Sequence, residues 1–173
     1  MRITFLLAGV VILLATEVNA TTGFESEGVA FYQNGDVVSA RVANRNQLAE
    51  YSKKLEEVCA RFFASETTPE SFDVVVALKP GQQSRVWFVS SRNAGEDKGR
   101  DSLRKQLEAV TPCDIKSGPL AFAIRGKIAG GDGKAKADDE LPMPEEWRKA
   151  DAKSERPLII PDSILPIVWP DKK

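Results

Sequence analysis

The chain has 173 residues, of which 42% are hydrophobic and 28% charged, a balance that fits one soluble domain with appendages better than two large domains. Its 24 Lys and Arg stand against 25 Asp and Glu, a formal net charge of -1, so no global field gathers nucleic acid or an anionic membrane. There is no His, which removes the commonest metal ligand and the usual base for a Ser or Cys nucleophile, and most hydrolase and metalloenzyme schemes with them.

Residues 1–20 open with Arg2, run apolar from Ile3 to Ala15 and close on Val18-Asn19-Ala20. This is the pattern of a secretory signal peptide cut after Ala20. The apolar run is about thirteen residues against the ~20 a spanning helix needs, so no membrane span is expected after cleavage. The mature chain is therefore expected to be exported, and so secreted. Export would place Cys59 and Cys113, the only cysteines, where disulfides persist, and a Cys59–Cys113 bridge is the expected pairing. Such a bridge would restrict the unfolded chain by about 4 kcal/mol. A redox pair is not favoured, because there is no Cys-x-x-Cys spacing and no His to form a thiolate.

In chain order, residues 28–42 carry two β-prone runs around Asn34-Gly35-Asp36, which predicts a hairpin. From Asn46, Leu48, Tyr51, Leu55, Val58, Cys59, Phe62 and Phe63 recur at three- and four-residue steps and predict an amphipathic helix ending near Ser65. Two strands, 72–78 and 84–91, flank a Pro80-Gly81 turn. Trp87 and Phe88 are neighbours on the second of them and must point to opposite faces. A second helix spans 99–110 and is stopped by Pro112; a last strand runs from Leu120 to Ile128, with Leu120, Phe122 and Ile124 alternating with Ala121, Ala123 and Arg125. The order β-β-α-β-β-α-β predicts an α+β domain over 21–130, a mainly antiparallel sheet with two helices on one face.

Residues 131–156 mix Gly, Lys, Asp, Glu and Ala and read as a charged flexible linker. Residues 157–173 are apolar again, but Pro157, Pro161, Pro166 and Pro170 forbid a helix by their spacing and leave a disordered or extended tail. Within it Ile159, Ile160, Ile164, Leu165, Ile167, Val168 and Trp169 are the candidate partner-binding residues. Large apolar groups held extended need cover, supplied either by the chain's own sheet or by a partner through edge-strand addition or a polyproline groove.

The other polar clusters read as solvated surface. Gly130-Gly131-Asp132-Gly133 and Asp138-Asp139-Glu140 are one linker turn and an acidic run, too few ligands for calcium. Glu70, Asp73, Glu96, Asp97 and Asp101 fall in turns or at helix starts and read as caps, while Lys98, Arg100, Arg104 and Lys105 lack interleaved aromatics and read as a solvated helix face. No catalytic residue, metal site, cofactor or nucleic-acid surface is therefore expected, and the chain reads as a non-enzyme.

The stretch from about 46 to 130 carries FDVVVALKPGQQSRVWFVSS, then DSLRKQLEAVTP, then LAFAIRGKIAG. This layout of helix, hairpin, helix and strand resembles the C-terminal domain of TonB, the periplasmic energy-transducing protein, and its relatives. The resemblance implies a non-catalytic domain that binds partners in the periplasm, often by adding strands at a sheet edge. The expected function is thus an exported protein-binding module of the bacterial periplasm, acting through a sheet edge and the apolar tail. The alternative is a periplasmic inhibitor or immunity protein directed against a secreted hydrolase.

Overall fold

A computed structural model describes residues 23–91, 100–131, 141–154 and 161–171. The expected signal segment, Glu96, Asp97, Lys98, the acidic run 138–140, Ile159 and Ile160 lie outside them. Strands β1 (Phe24–Phe31), β2 (Glu70–Lys79), β3 (Gln83–Ser90) and β4 (Leu120–Ile128) form one antiparallel sheet in the order β1-β4-β2-β3. The remaining elements are α1 (Gly35–Arg41), α2 (Arg45–Phe62), α3 (Asp101–Glu108), α4 (Glu145–Asp151) and α5 (Leu165–Val168).

The α+β class follows from the periodicities. Asn44 caps α2, its side chain accepting from the Asn46 and Gln47 backbone N–H groups. The stripe Leu48, Tyr51, Leu55, Val58 and Cys59 then packs, with Leu103 and Leu107 of α3, on one sheet face. That face presents Phe72, Val74, Val76 and Leu78 of β2 and Leu120, Phe122, Ile124 and Ile128 of β4. Trp87 and Phe88 do point to opposite sides, Phe88 toward these helices and Trp87 away from them.

The expected hairpin over 28–42 is replaced by a strand and a helix. Asn34 caps α1, its side chain accepting from Val37 N–H at 2.9 Å, with Asp36 in the first turn and Arg41 in the last. Asn-Gly-Asp suits a helix start as well as a tight turn, since Asn caps orphan N–H groups and Asp complements the dipole. Val42 keeps only a single bridge to Ile115.

The Cys59–Cys113 disulfide is absent: both are free, buried thiols. Ala43 N–H donates to the Asp114 carbonyl and Lys116 N–H to that of Arg41, which pins Cys113 beside the start of α2. Cys59 lies fourteen residues beyond Arg45 on the same helix, about 21 Å along its axis. A disulfide needs its Cα atoms about 4.4–6.8 Å apart.

The charged linker and the proline-broken tail are also corrected. Pro144 precedes α4, Glu145 and Glu146 occupy its first turn and Lys149 its last, so the segment follows helix grammar despite its polarity. In α5, Pro166 falls in the first turn, where a backbone N–H has no intrahelical partner to lose. Together these two short helices cover the second face of the sheet.

Burial pushes the thiol of Cys59 up to about 12 and that of Cys113 up to about 11. Without reductant, iodoacetamide should modify both cysteines in denaturant and neither in the native protein, read by intact mass. The folded thiols ionise later than unfolded ones, so their contribution is whole below pH ~8.5 and is lost as pH rises toward 11–12. Denaturant midpoints should therefore hold to pH 8 and fall by pH 10, by on the order of 2 kcal/mol per thiol, with a shallower fall in Cys59→Ala.

Candidate binding surfaces

The sheet's second face is built for close approach. Ala77 on β2 and Ala121 and Ala123 on β4 are fully buried there beside Val75, and their short side chains leave a trough along the two central strands. The Trp147 indole of α4 fills it at 0% exposure. Its ring centroid lies 5.3 Å from that of Tyr32 and 5.3 Å, edge-on, from that of Trp87. Ile164 and Leu165 complete this core.

Polar contacts rim the trough. Trp87 Nε1 donates to Glu146 Oε2 at 2.7 Å, and Arg85 donates to the same oxygen at 3.4 Å and to the Val168 carbonyl at 2.8 Å. Lys79 Nζ donates to the Trp169 carbonyl at 2.6 Å and to Asp171 at 2.7 Å, and sits 4.7 Å from the Trp169 ring centroid. Arg41 pairs with Asp162 at 2.8 Å. The Tyr32 hydroxyl donates to the Pro142 carbonyl, and burial, reinforced by Asp73, holds that phenol well above the ordinary tyrosine range. Trp147 Nε1 has no acceptor among the described residues.

This arrangement reassigns most of the residues expected to meet a partner. Ile164 and Leu165 are wholly buried in the chain's own core, because the trough offers them apolar cover without a second molecule. Val168 and Trp169 are half-buried and packed against the same core. Among the described ones Ile167 alone stands out, 55% exposed. Trp147, Tyr32 and the three alanines, which organise the face, were not singled out from the sequence; the signal was that β2 and β4 are apolar in both phases of the strand period, the mark of a sheet covered on two sides.

Two further expectations change. Arg100 is not on a solvated face, and Glu70 is not a cap: both are buried, and Arg100 Nη2 donates to both Glu70 carboxylate oxygens at 2.8 Å. The Ser90 hydroxyl also donates to Glu70, and the guanidinium lies 4.4 Å from the Phe72 ring centroid. This joins the start of β2, the end of β3 and the start of α3, and it occupies both carboxylate oxygens. Asp101 does lie in the first turn of α3, paired with Arg104 at 2.9 Å. Among the described residues no group of three or more His, Cys, Asp or Glu is placed to hold a metal ion, and no helix is long and apolar enough to cross a membrane.

The two sheet edges differ. Along β3, Glu108 Oε1 of α3 accepts the outward Val86 N–H at 3.1 Å, and along β1 the Ser26 hydroxyl donates to Glu56 of α2 at 2.9 Å. Along β1, Glu25, Ser26, Glu27, Gly28 and Val29 are all exposed. Tyr32 N–H bonds inward to the Ala121 carbonyl, so by alternation Ala30 faces β4 while Phe31 and Val29 direct their backbone groups outward. A bulge shifts the register between Ser26 and Gly28, where φ of Gly28 is +131°. Phe24 anchors the strand over Gly126, where a Cβ would come within 2.4 Å of its ring.

Comparisons with protein-family models, with curated proteins and with solved structures find no match to this chain.

Trp147→Ala should lower unfolding stability by about 3–5 kcal/mol in urea titrations, since it empties the centre of the second core. Glu70→Ala should lower it by a similar ~3–5 kcal/mol, because it strands the Arg100 charge among aromatic rings.

Proposed function

We propose that this chain is an exported, non-enzymatic protein-binding module of the bacterial periplasm that acts through the outer edge of β1. One observation carries the reading: on the β3 edge the outward Val86 N–H is taken by Glu108, whereas β1 is exposed from Glu25 to Val29 with no strand beside it among the described residues. An open strand edge offers a partner a ladder of backbone donors and acceptors, with alternate side chains left to set specificity. The resemblance of residues 46–130 to TonB C-terminal domains favours the same mode, and the leader-like segment 1–20 favours export. The tail enters this reading as cover for the second sheet face, and only Ile167 of its described apolar groups reaches far enough into solvent to touch another molecule.

Val29 is the point to test. A photo-crosslinking amino acid placed at Val29 should give a discrete adduct in intact cells, and the same probe at Lys54 on the solvent side of α2 should not. Val29→Pro removes an outward N–H and leaves the inward ladder to β4 in place; with the probe moved to Ser26, it should abolish the adduct at unchanged melting temperature. A protein that crosslinks equally from both sites, or keeps its adduct in Val29→Pro, refutes edge binding.

A further inference from the structure

We infer that the strand accepted by β1 runs antiparallel to it and is apolar first and basic after: two apolar residues separated by one position, then, one residue further on, two consecutive Lys or Arg. The inference rests on the edge-binding reading above and names the chemistry of its partner.

The register follows from which backbone groups point outward. Ala129 N–H donates to the Gly23 carbonyl, so by alternation Glu25 faces β4, while Phe24 and Ser26 direct their backbone groups away from it. On the far side of the bulge the outward residues are Val29 and Phe31. Ser26 and Val29 are therefore three positions apart, where a regular ladder has two. A regular partner strand closes that gap by setting one residue against Glu27 and Gly28 together, as β4 does with Arg125. All three ladders of the sheet are antiparallel, the pairing that is more stable per residue.

The side chains beside that ladder set the composition. Phe31 and Val29 pair with Phe122 and Ile124 of the helix-side core, Phe31 half-buried and Val29 37% exposed. Partner residues opposite these two extend that core outward if they are apolar. At Ser26 the surroundings turn acidic. Glu56 of α2 stands on the helix side, accepting from the Ser26 hydroxyl at 2.9 Å, and Glu25 lies on the other side, opposite Lys127. The Lys127 ammonium pairs with Glu27, and among the described residues neither Glu25 nor Glu56 is ion-paired. The strand itself contributes no Lys or Arg. Consecutive residues of a strand point to opposite faces, so two adjacent cations meet Glu56 and Glu25, one each. Antiparallel addition puts them after the apolar pair in the partner's sequence.

The test extends the crosslinking at Val29. Tandem mass spectrometry of the adduct should show Lys or Arg two and three residues C-terminal to the partner residue that is crosslinked. Glu25→Lys combined with Glu56→Lys should cut the adduct about tenfold at unchanged melting temperature, because two attractions become two repulsions. Glu50→Lys combined with Glu57→Lys, the same change in net charge at exposed positions of α2, should leave it intact. Where the double reversal lowers the melting temperature, Glu25→Gln with Glu56→Gln takes its place and should cut the adduct about threefold. An adduct that withstands the charge changes, or a partner segment without cations at those two positions, overturns this inference; edge binding still stands if Val29→Pro abolishes the adduct formed from Ser26. No adduct at all, or one from Ser26 that survives Val29→Pro, overturns both.

Discussion

The structure depends on one steric arrangement: an indole lying against a sheet whose two central strands carry alanine where most strands carry a larger group. Val75, Ala77, Ala121 and Ala123 are all fully buried, so at these positions β2 and β4 have no solvent face. Without Trp147, Ile164 and Leu165 the second face, with Trp87, would be a continuous apolar patch of a kind monomers seldom leave open. The segment whose composition reads as linker and tail is therefore a third layer of the fold. With helices over one face and that layer over the other, Glu25 to Val29 of β1 is the longest exposed run of the sheet.

A second constraint replaces the disulfide that export and cysteine count suggested. The helix-side core holds a run of aromatic contacts, Phe24 with Phe63, Phe63 with Phe72 and Phe72 with Phe88, at centroid separations of 6.4, 5.1 and 5.3 Å. The Glu70–Arg100 pair is set into this cluster. Burying two charges has a large desolvation cost, and the contact of Arg100 Nη2 with both carboxylate oxygens together with the added Ser90 hydrogen bond is what offsets it. The pair fixes where α3 begins relative to two strands, which is the geometric task a bridge between the helices would have performed. The thiols are left as small apolar fillers at opposite ends of α2, protonated and shielded.

How much of this was legible depends on whether the signal was local. The 3.6-residue stripe of α2, the Pro80-Gly81 turn and the strand at Leu120–Ile128 are set by neighbouring residues and could be read directly. Asn34-Gly35-Asp36 was ambiguous at the local level, since the same side chains suit a hairpin and a helix cap, and the choice is made by what Val38 and Arg41 pack against. Trp147 was hidden by averaging: one large apolar residue among charges leaves the composition of 131–156 polar, although Pro144 before Glu145 and Glu146 is a sound helix start. The cysteines failed for a different reason. A helical wheel places Cys59 on the core face but says nothing of which end of the helix Cys113 reaches; the backbone bonds of Asp114 and Lys116 decide that, and they are long-range.

The β1 edge combines openness with devices that resist indiscriminate pairing. Glu25 and Glu27 put carboxylates along it, and Glu27 is also ion-paired with Lys127. The Glu27–Gly28 bulge bends and twists the strand at its middle. A flat strand from an unrelated chain would meet the bulge out of register and would bring its own side chains against the acids. A partner strand that accommodates the extra residue, and places apolar surface over Val29, avoids both penalties. On the proposed reading such a guarded yet uncovered edge would select among partners by register and charge, and β3 differs in that Glu108 already takes its outward Val86 N–H.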